Sequence, residues 1–150
     1  MGLSYPVPSS TPAQTVMVKP DFSKYSLAVY EQHQLIYSSR DTGLRPLFDC
    51  LQTLRGKSGL ILHDKVIGLA AARLTVYSGI ISEIITTVTS MPAKKFLEEN
   101  GMMIEAYDVA ANIMTRDGSS VCPGEIIALS TDDADNFFEN TKVMLHGPKQ

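Results

Sequence analysis

The most apolar stretch of this 150-residue chain, Val66–Val88, limits the folds that the chain can adopt. Arg73, residues 78–79 and Glu83 interrupt it, so it lacks the roughly 20 uninterrupted apolar residues that a membrane-spanning helix needs. The stretch is instead predicted to form a buried helix, a turn and a strand. We therefore expect no membrane partner.

A β-hairpin followed by a helix is predicted ahead of this stretch. Residues 26–30 and 35–38 are two β-favouring runs at hairpin distance. Apolar residues then recur at helical spacing through "DTGLRPLFDCLQTLRGKSG", with Asp41 or Thr42 as the candidate N-cap. Because one face of this helix is apolar, we expect it to pack on a sheet.

Strand and helix patterns alternate through the centre of the chain. "SGLILH" is a short continuous apolar run typical of a buried central strand, and it leads directly into the helical pattern "DKVIGLAAARLTVYSG". "IISEIITTVT" predicts another strand, "MPAKKFLEENG" a short helix and "MMIEAYDV" a further strand. This alternation is typical of an α/β fold.

The last third of the chain adds helices. "VAANIMTRDGSS" is compatible with a helical turn before a loop, "CPGEIIALS" with a short helix and "DDADNFFENTKVML" with a closing amphipathic helix. We predict a disordered, Pro- and Ser-rich tail over residues 1–22 and a single domain over residues 23–146. The predicted fold is a three-layer α/β/α sandwich around a mixed sheet of about five strands.

The composition narrows the classes of partner. The formal net charge is −3, and Lys and Arg cluster only in short pairs such as Lys94-Lys95, so a nucleic-acid duplex is not expected as a partner. Cys50 and Cys122 lie far apart without metal-type neighbours, which argues against a disulfide scaffold or a zinc finger. We expect a cytoplasmic location. No cofactor is predicted, because the usual nucleotide-loop, hydrolase and metalloprotease motifs are absent.

The first candidate site is "HDKVIGLAAA", where a buried strand is predicted to lead into a helix. With Asp64 as N-cap, the helix dipole and its free N–H groups favour an anion there, and Lys65 adds a positive charge. The alternative is that Asp64 only caps the helix and Lys65 points to solvent, and the local pattern favours this alternative. A lone histidine such as His63 is more often a packed or exposed side chain than a ligand.

The second candidate site surrounds Cys122 in "NIMTRDGSSVCPGE". Cys122 stands at the predicted N-cap, Pro123 at the first helical position and Glu125 at the third, which is the layout of a capping box with sulfur in place of a hydroxyl. A helix N-terminus stabilises a thiolate, so Cys122 is a candidate nucleophile. The alternative is a purely structural cap.

Three polar residues near this cysteine are candidate ligand-binding groups. The planar fork of Arg116 suits a carboxylate or a phosphate, Glu125 suits a base or an acceptor, and Asn112 belongs to the same segment. Each also has a structural alternative: Glu125 returns to the N–H of Cys122, Arg116 pairs with Asp117, and Asn112 closes a helix. Spacing alone favours the structural roles.

The succession of these motifs resembles a small family of uncharacterised, mainly prokaryotic proteins with a cytidine deaminase-like fold. The resemblance runs from about Ser26 to Glu125. Its most specific parts are "DKVIGLAAA", which matches the pattern D-K-V-x-G-x-A-A-A and includes Gly68, and "CPGE", which matches C-P-x-E. Thr115 departs from the family, which usually has asparagine at this position.

The resemblance implies a deaminase-like fold without the chemistry of the zinc deaminases. Those enzymes carry H-x-E followed by P-C-x-x-C, which together supply the zinc ligands and a glutamate for proton transfer. This chain contains no H-x-E, and "CPGE" has no second cysteine near it. A metal site is therefore not expected.

Three functions remain open from the sequence. The favoured one is binding of a small anionic or nucleoside-like ligand, with Arg116, Glu125, Asn112 and Gly68 as the candidate ligand-binding residues. The second is a metal-independent enzyme, with Cys122, Lys65 and Asp64 as the candidate catalytic residues and Cys122 as the nucleophile. The third is a non-catalytic scaffold that forms a homo-oligomer through its sheet edge or its terminal helix.

Overall fold

The computed structural model of the protein describes residues 18–114 and 121–147, which contain five strands and five helices. The strands are β1 (Leu27–Glu31), β2 (Gln34–Ser39), β3 (Leu60–Ile67), β4 (Ile81–Ser90) and β5 (Met103–Ala110). The helices are α1 (Arg45–Thr53), α2 (Leu69–Ser78), α3 (Met91–Glu99), α4 (Pro123–Ser130) and α5 (Ala134–His146). Most of the predicted N-terminal tail lies outside the described residues.

The five strands form one mixed sheet in the order β2-β1-β3-β4-β5. β1 is antiparallel to both β2 and β3, whereas β3, β4 and β5 are parallel to one another. The predicted hairpin is therefore confirmed as β1 and β2. The α/β class and the five-stranded mixed sheet are confirmed as well, and the architecture is consistent with the predicted three-layer sandwich.

The main core lies on one face of this sheet. Leu62, Ile84 and Ile104 form one row across β3, β4 and β5, and their side chains belong to the core or pack against it. The crossovers β3-α2-β4 and β4-α3-β5 run in the same direction across the sheet, so a right-handed connection puts both helices on the same face. Accordingly, α2 packs against α3.

The opposite face of the sheet carries a smaller buried cluster around His63. Alternation along β3 points His63 away from Leu62, and its ring lies 4.9 Å from the ring of Tyr30. The hydroxyl of Tyr25 lies 3.4 Å from Nδ1 of His63 and accepts a hydrogen bond from the N–H of Asp21. The segment before β1 thus covers this part of the sheet.

Two predicted helix caps are wrong. Asp64 is not the N-cap of α2 but lies inside β3, paired with Leu27 on β1 and Thr86 on β4. The ladder to β4 continues as far as Ile67, so strand pairing outweighs the local capping pattern and the helix begins only after Gly68.

The other misplaced cap belongs to α1. Its N-cap is Leu44 rather than Asp41 or Thr42, because Pro46 favours the first turn of a helix and moves the helix start toward it. The predicted helical turn in "VAANIMTRDGSS" is not seen in its described part either. Residues 109–110 end β5, and Met114 pairs in an isolated bridge with Val121.

Candidate functional site

A buried carboxylate joins the starts of two helices. Glu125, on the first turn of α4, accepts hydrogen bonds from the N–H groups of Leu69 and Ala70 on α2, both at 2.7 Å. The side chain is only 4 % exposed. Two of the N–H groups that lack a partner inside α2 are thereby satisfied, and the negative charge lies at the positive end of the helix dipole.

This contact replaces the predicted capping box in α4. Cys122 is the N-cap of α4 as predicted, but its side chain makes no capping hydrogen bond. Its N–H donates to the carbonyl of Ile113 at 3.0 Å, so Glu125 does not return to it. The alternative in which Glu125 closes its own helix is therefore wrong, because its carboxylate accepts from Leu69 and Ala70 on α2 instead.

Gly68 makes room for this carboxylate. A Cβ atom at position 68 would lie 2.6 Å from the carboxyl carbon of Glu125, which is far inside van der Waals contact. The φ angle of Gly68 is −92°, an ordinary value for any residue, so the need for glycine is one of space. "DKVIGLAAA" and "CPGE" are therefore two halves of one contact, which we call the α2–α4 staple (Gly68, Leu69, Ala70 and Glu125).

A cavity of about 150 Å³ lies beside the staple. Its wall comes from β1, β3, the segment that leads into α1, and the first turns of α2 and α4. The polar lining residues are Ser26, Asp41, Thr42, Asp64, Lys65, Cys122 and Glu125, and the apolar ones include Leu27, Leu44, Val66, Ala70, Ala71 and Ile113. The wall is thus apolar with a few converging polar groups, as in many ligand pockets.

The cavity brings together most of the predicted site residues. Asp64, Lys65, Gly68, Cys122 and Glu125 all line it. Asn112 is exposed and is not among the lining residues, although its neighbour Ile113 is. Arg116 lies outside the described residues.

Comparison with known proteins identifies a family and a solved structure that are similar to this chain. A family profile described as "TM1506: Domain of unknown function (DUF1893)" matches residues 16–144. The chain belongs to the DUF1893 family. The fold is similar to the crystal structure of a DUF1893 family protein (TM1506) from Thermotoga maritima, with a TM-score of 0.74 and 27% sequence identity over 81% of this chain and 82% of that chain. None of the curated proteins matches the chain.

Within this DUF1893 chain, Asp64 is a half-buried acid that lines the cavity. This burial raises the pKa of Asp64 well above its ordinary value, and hydrogen bonds from the backbone of Val66 and Lys65 offset only part of the rise. Asp64 therefore tends to hold a proton.

The two cysteines of the DUF1893 chain differ in their access to the cavity. Cys122 is a free, half-buried thiol that lines it. Cys50, on α1, is fully buried, and that burial, helped by the nearby charge of Asp64, raises the pKa of its thiol to about 12. Only Cys122 is thus placed for reaction with a molecule in the cavity.

Several features of the site were missed from the sequence. The staple was not predicted, although one signal points to it: Gly68 precedes an alanine-rich helix and has no side chain to cap it, so an acceptor must come from elsewhere. Ser26, Asp41 and Thr42 in the lining carried no local motif.

Two further features are absent from the described residues. None of the described helices has the length and the apolar composition of a membrane span, and no three His, Cys, Asp or Glu side chains are grouped to hold a metal ion.

Proposed function

We propose that the cavity beside the staple binds a small, uncharged, nucleoside-like molecule. The observation that carries the proposal is the position of Glu125. An anion was expected at the start of α2, but the carboxylate of Glu125 already occupies the N–H groups of Leu69 and Ala70 there. A second anion beside it would meet electrostatic repulsion, so of the two predicted ligand classes the uncharged one fits better.

The charges around the cavity support the same choice. Its described lining contains the carboxylates of Asp41 and Glu125, the carboxyl group of Asp64, whose neutral form is favoured by burial, and one cation, that of Lys65. Lys65 lies on the exposed part of β3, in agreement with the alternative that its charge faces solvent. This balance disfavours phosphates and carboxylates as ligands.

The size of the cavity limits the buried part of the ligand. An engineered protein cavity of about 150 Å³ takes up benzene. The space here is similar, so one six-membered ring is the expected buried group, and any sugar or other polar substituent would lie toward the opening. The resemblance to deaminase-like folds favours a nucleoside among such molecules, as an analogy at the level of the fold.

Protection of Cys122 from alkylation tests this proposal. Uridine and pyridine represent uncharged single-ring ligands, and benzoate and inorganic phosphate represent anions. We expect the uncharged probes to slow the reaction of iodoacetamide with Cys122, and the anions to have no effect. The Cys122→Ser variant reports any background labelling of the buried Cys50. Protection by the anions alone would overturn the proposal.

A second function, catalysis through Cys122, rests on the shared cavity. Cys122 supplies a thiol, and Asp64 supplies a carboxyl group whose protonated form is favoured by burial. In that case the thiol of Cys122 would lose its proton to water, and the thiolate would form a bond to an electrophilic carbon of the ligand. The bond from that carbon to the leaving group would break, and Asp64 would give its proton to the departing group. The alkylation rate of Cys122 against pH tests this function: a thiol that titrates like a free cysteine, and is unchanged in Asp64→Asn or Lys65→Ala, excludes an activated nucleophile.

A further inference from the structure

Asp64 lies in the middle of the sheet with its carboxyl group on the cavity side. It is paired with Leu27 on one neighbouring strand and Thr86 on the other. Side chains alternate along a strand, so Asp64 shares the face of Leu62, which belongs to the main core, while His63 points to the opposite face. Asp64 lines the cavity together with the apolar residues Leu27 and Ala71.

No cationic side chain of the described residues forms an ion pair with Asp64. Lys65, its neighbour in sequence, is exposed and forms no ion pair with Asp64. The backbone N–H groups of Val66 and Lys65 donate to this carboxyl group but offset only part of the cost of its burial, so burial without a cation favours the protonated form. A protonated carboxyl group carries an O–H donor directly beside a C=O acceptor.

We propose that Asp64 selects the ligand of this cavity by offering it an adjacent hydrogen-bond donor and acceptor, which are complementary to the N–H and C=O of a cyclic amide or imide. This inference rests on the proposed function and narrows its ligand class. A carboxyl dimer-like pair of hydrogen bonds forms only if the ligand presents both groups on one edge. A ring without that edge, or one with a negative charge, leaves a buried polar group of Asp64 without a partner.

Two probes of nearly equal shape test the inference. 2-Pyridone is a six-membered cyclic amide with an N–H beside its C=O, and N-methyl-2-pyridone lacks that donor. Amide chemical shifts of the full-length ¹⁵N-labelled chain report the binding of each probe at pH 6. We expect 2-pyridone to bind about tenfold more tightly, because one neutral hydrogen bond is worth about that factor.

Variants at position 64 assign the preference to this residue. Asp64→Ala should remove the tenfold preference, whereas Asp64→Asn should keep it, since a carboxamide also has a donor beside an acceptor. In the wild type both probes should bind more weakly as the pH rises through the pKa of Asp64, because the O–H that donates to their C=O is lost, and in Asp64→Asn their binding should not change with pH. The other titratable groups around Asp64, which are Asp41, Cys50, Lys65, Cys122 and Glu125, are the same in both chains.

The outcomes separate this inference from the proposed function. Equal binding of the two probes to the wild type, or an unchanged preference in Asp64→Ala, overturns the role of Asp64 while uridine and pyridine still protect Cys122. If neither pyridone shifts the amides around the cavity and no uncharged probe protects Cys122, the proposed function fails together with the inference. A tenfold preference that depends on Asp64 supports both.

Discussion

His63 and Asp64 are consecutive residues of β3 that lie on opposite faces of the sheet, and burial moves their pKa values in opposite directions. Burial lowers the pKa of His63 to about 4 and raises that of Asp64 well above its ordinary value. In both cases the protein interior disfavours the charged form. Burial therefore favours the neutral form of each side chain, and His63 is neutral near neutral pH.

The surroundings of these two residues decide what each can do. His63 is fully buried beneath Tyr25 and Tyr30, and its Nε2 atom has no hydrogen-bond partner among the described residues. Asp64 opens onto the cavity that Cys122 also lines. A perturbed pKa is thus a sign of burial on both faces, and access to a cavity makes only Asp64 a candidate for ligand binding.

The largest expected effect on stability comes from removing the carboxylate of the staple, on the face of the sheet that carries the cavity. Glu125→Ala leaves the N–H groups of Leu69 and Ala70 buried without an acceptor, and hydrogen bonds to a charged group contribute about 1.5–3 kcal/mol each. We expect the free energy of unfolding, measured with urea, to fall by about 4 kcal/mol. The cap Asp133→Ala on α5, which is exposed, is the matched control and should cost about 1 kcal/mol.

Acetate provides a second test of the staple. If the carboxylate itself stabilises the start of α2, acetate should raise the melting temperature of Glu125→Ala and leave the wild type and Asp133→Ala unchanged. Equal losses of stability in the two variants, without rescue by acetate, would show that Glu125 is an ordinary surface cap.

The sequence predicted the elements of this fold better than it predicted their ends. The hairpin, the strands and α3 follow from periodicity and, for α3, from Pro92 near the helix start. The structure adds Ser90 as the N-cap of α3, where it accepts a hydrogen bond from the N–H of Ala93. Asp64 was misplaced because a good N-cap residue is also compatible with a strand when a neighbouring strand pairs with it. That pairing is a tertiary interaction, which local patterns do not contain.

The site was predicted as a set of residues but not as an arrangement. The motifs "DKVIGLAAA" and "CPGE" meet in one contact between Leu69 and Glu125, which are 56 residues apart in the sequence. Nothing in either motif alone shows that the carboxylate of Glu125 serves α2 rather than α4. The space beside Gly68 is equally a product of the fold, since its backbone angles suit any residue.

The second-largest effect concerns the pH dependence of stability, which should differ between His63 on one face of the sheet and Asp64 on the other. His63 has a folded-state pKa of about 4, below its ordinary value of 6.5. Its neutral form is therefore favoured in the folded state, and stability is lost as the pH falls from 6.5 through 4. The loss from this residue is on the order of 3 kcal/mol. His63→Met should remove this part of the acid sensitivity, as measured by urea unfolding between pH 7 and pH 4.

Asp64 gives the opposite sign and serves as the comparison for His63. Its folded-state pKa is raised, so its contribution to stability is present at low pH and is lost as the pH rises through that pKa. Asp64→Asn should therefore gain stability relative to the wild type as the pH rises. If both variants shift the pH dependence in the same direction, the contrast between the faces is wrong.

A smaller effect is expected from crowding the staple. Gly68→Ala places a Cβ atom against the carboxyl group of Glu125 and should cost about 2 kcal/mol, within the range for overpacked sites. In the double variant with Glu125→Ala this clash is absent, so the two losses should not add. Gly124→Ala is the control, because its nearest neighbour is the flexible side chain of Leu44. Additive losses at positions 68 and 125 would exclude direct contact.

The smallest effect concerns Cys122. Its thiol makes no capping hydrogen bond, whereas serine is one of the preferred N-cap residues, so Cys122→Ser should keep the stability or raise it by up to about 1 kcal/mol. If the cavity only binds its ligand, uridine should also bind the variant as it binds the wild type, since serine keeps the shape of the wall. Loss of a measured turnover with binding intact would instead assign the sulfur to chemistry. A drop in stability would mean that the thiol packs against the fold in a way that a hydroxyl cannot replace, because the serine variant leaves the backbone contact from Cys122 to Ile113 in place.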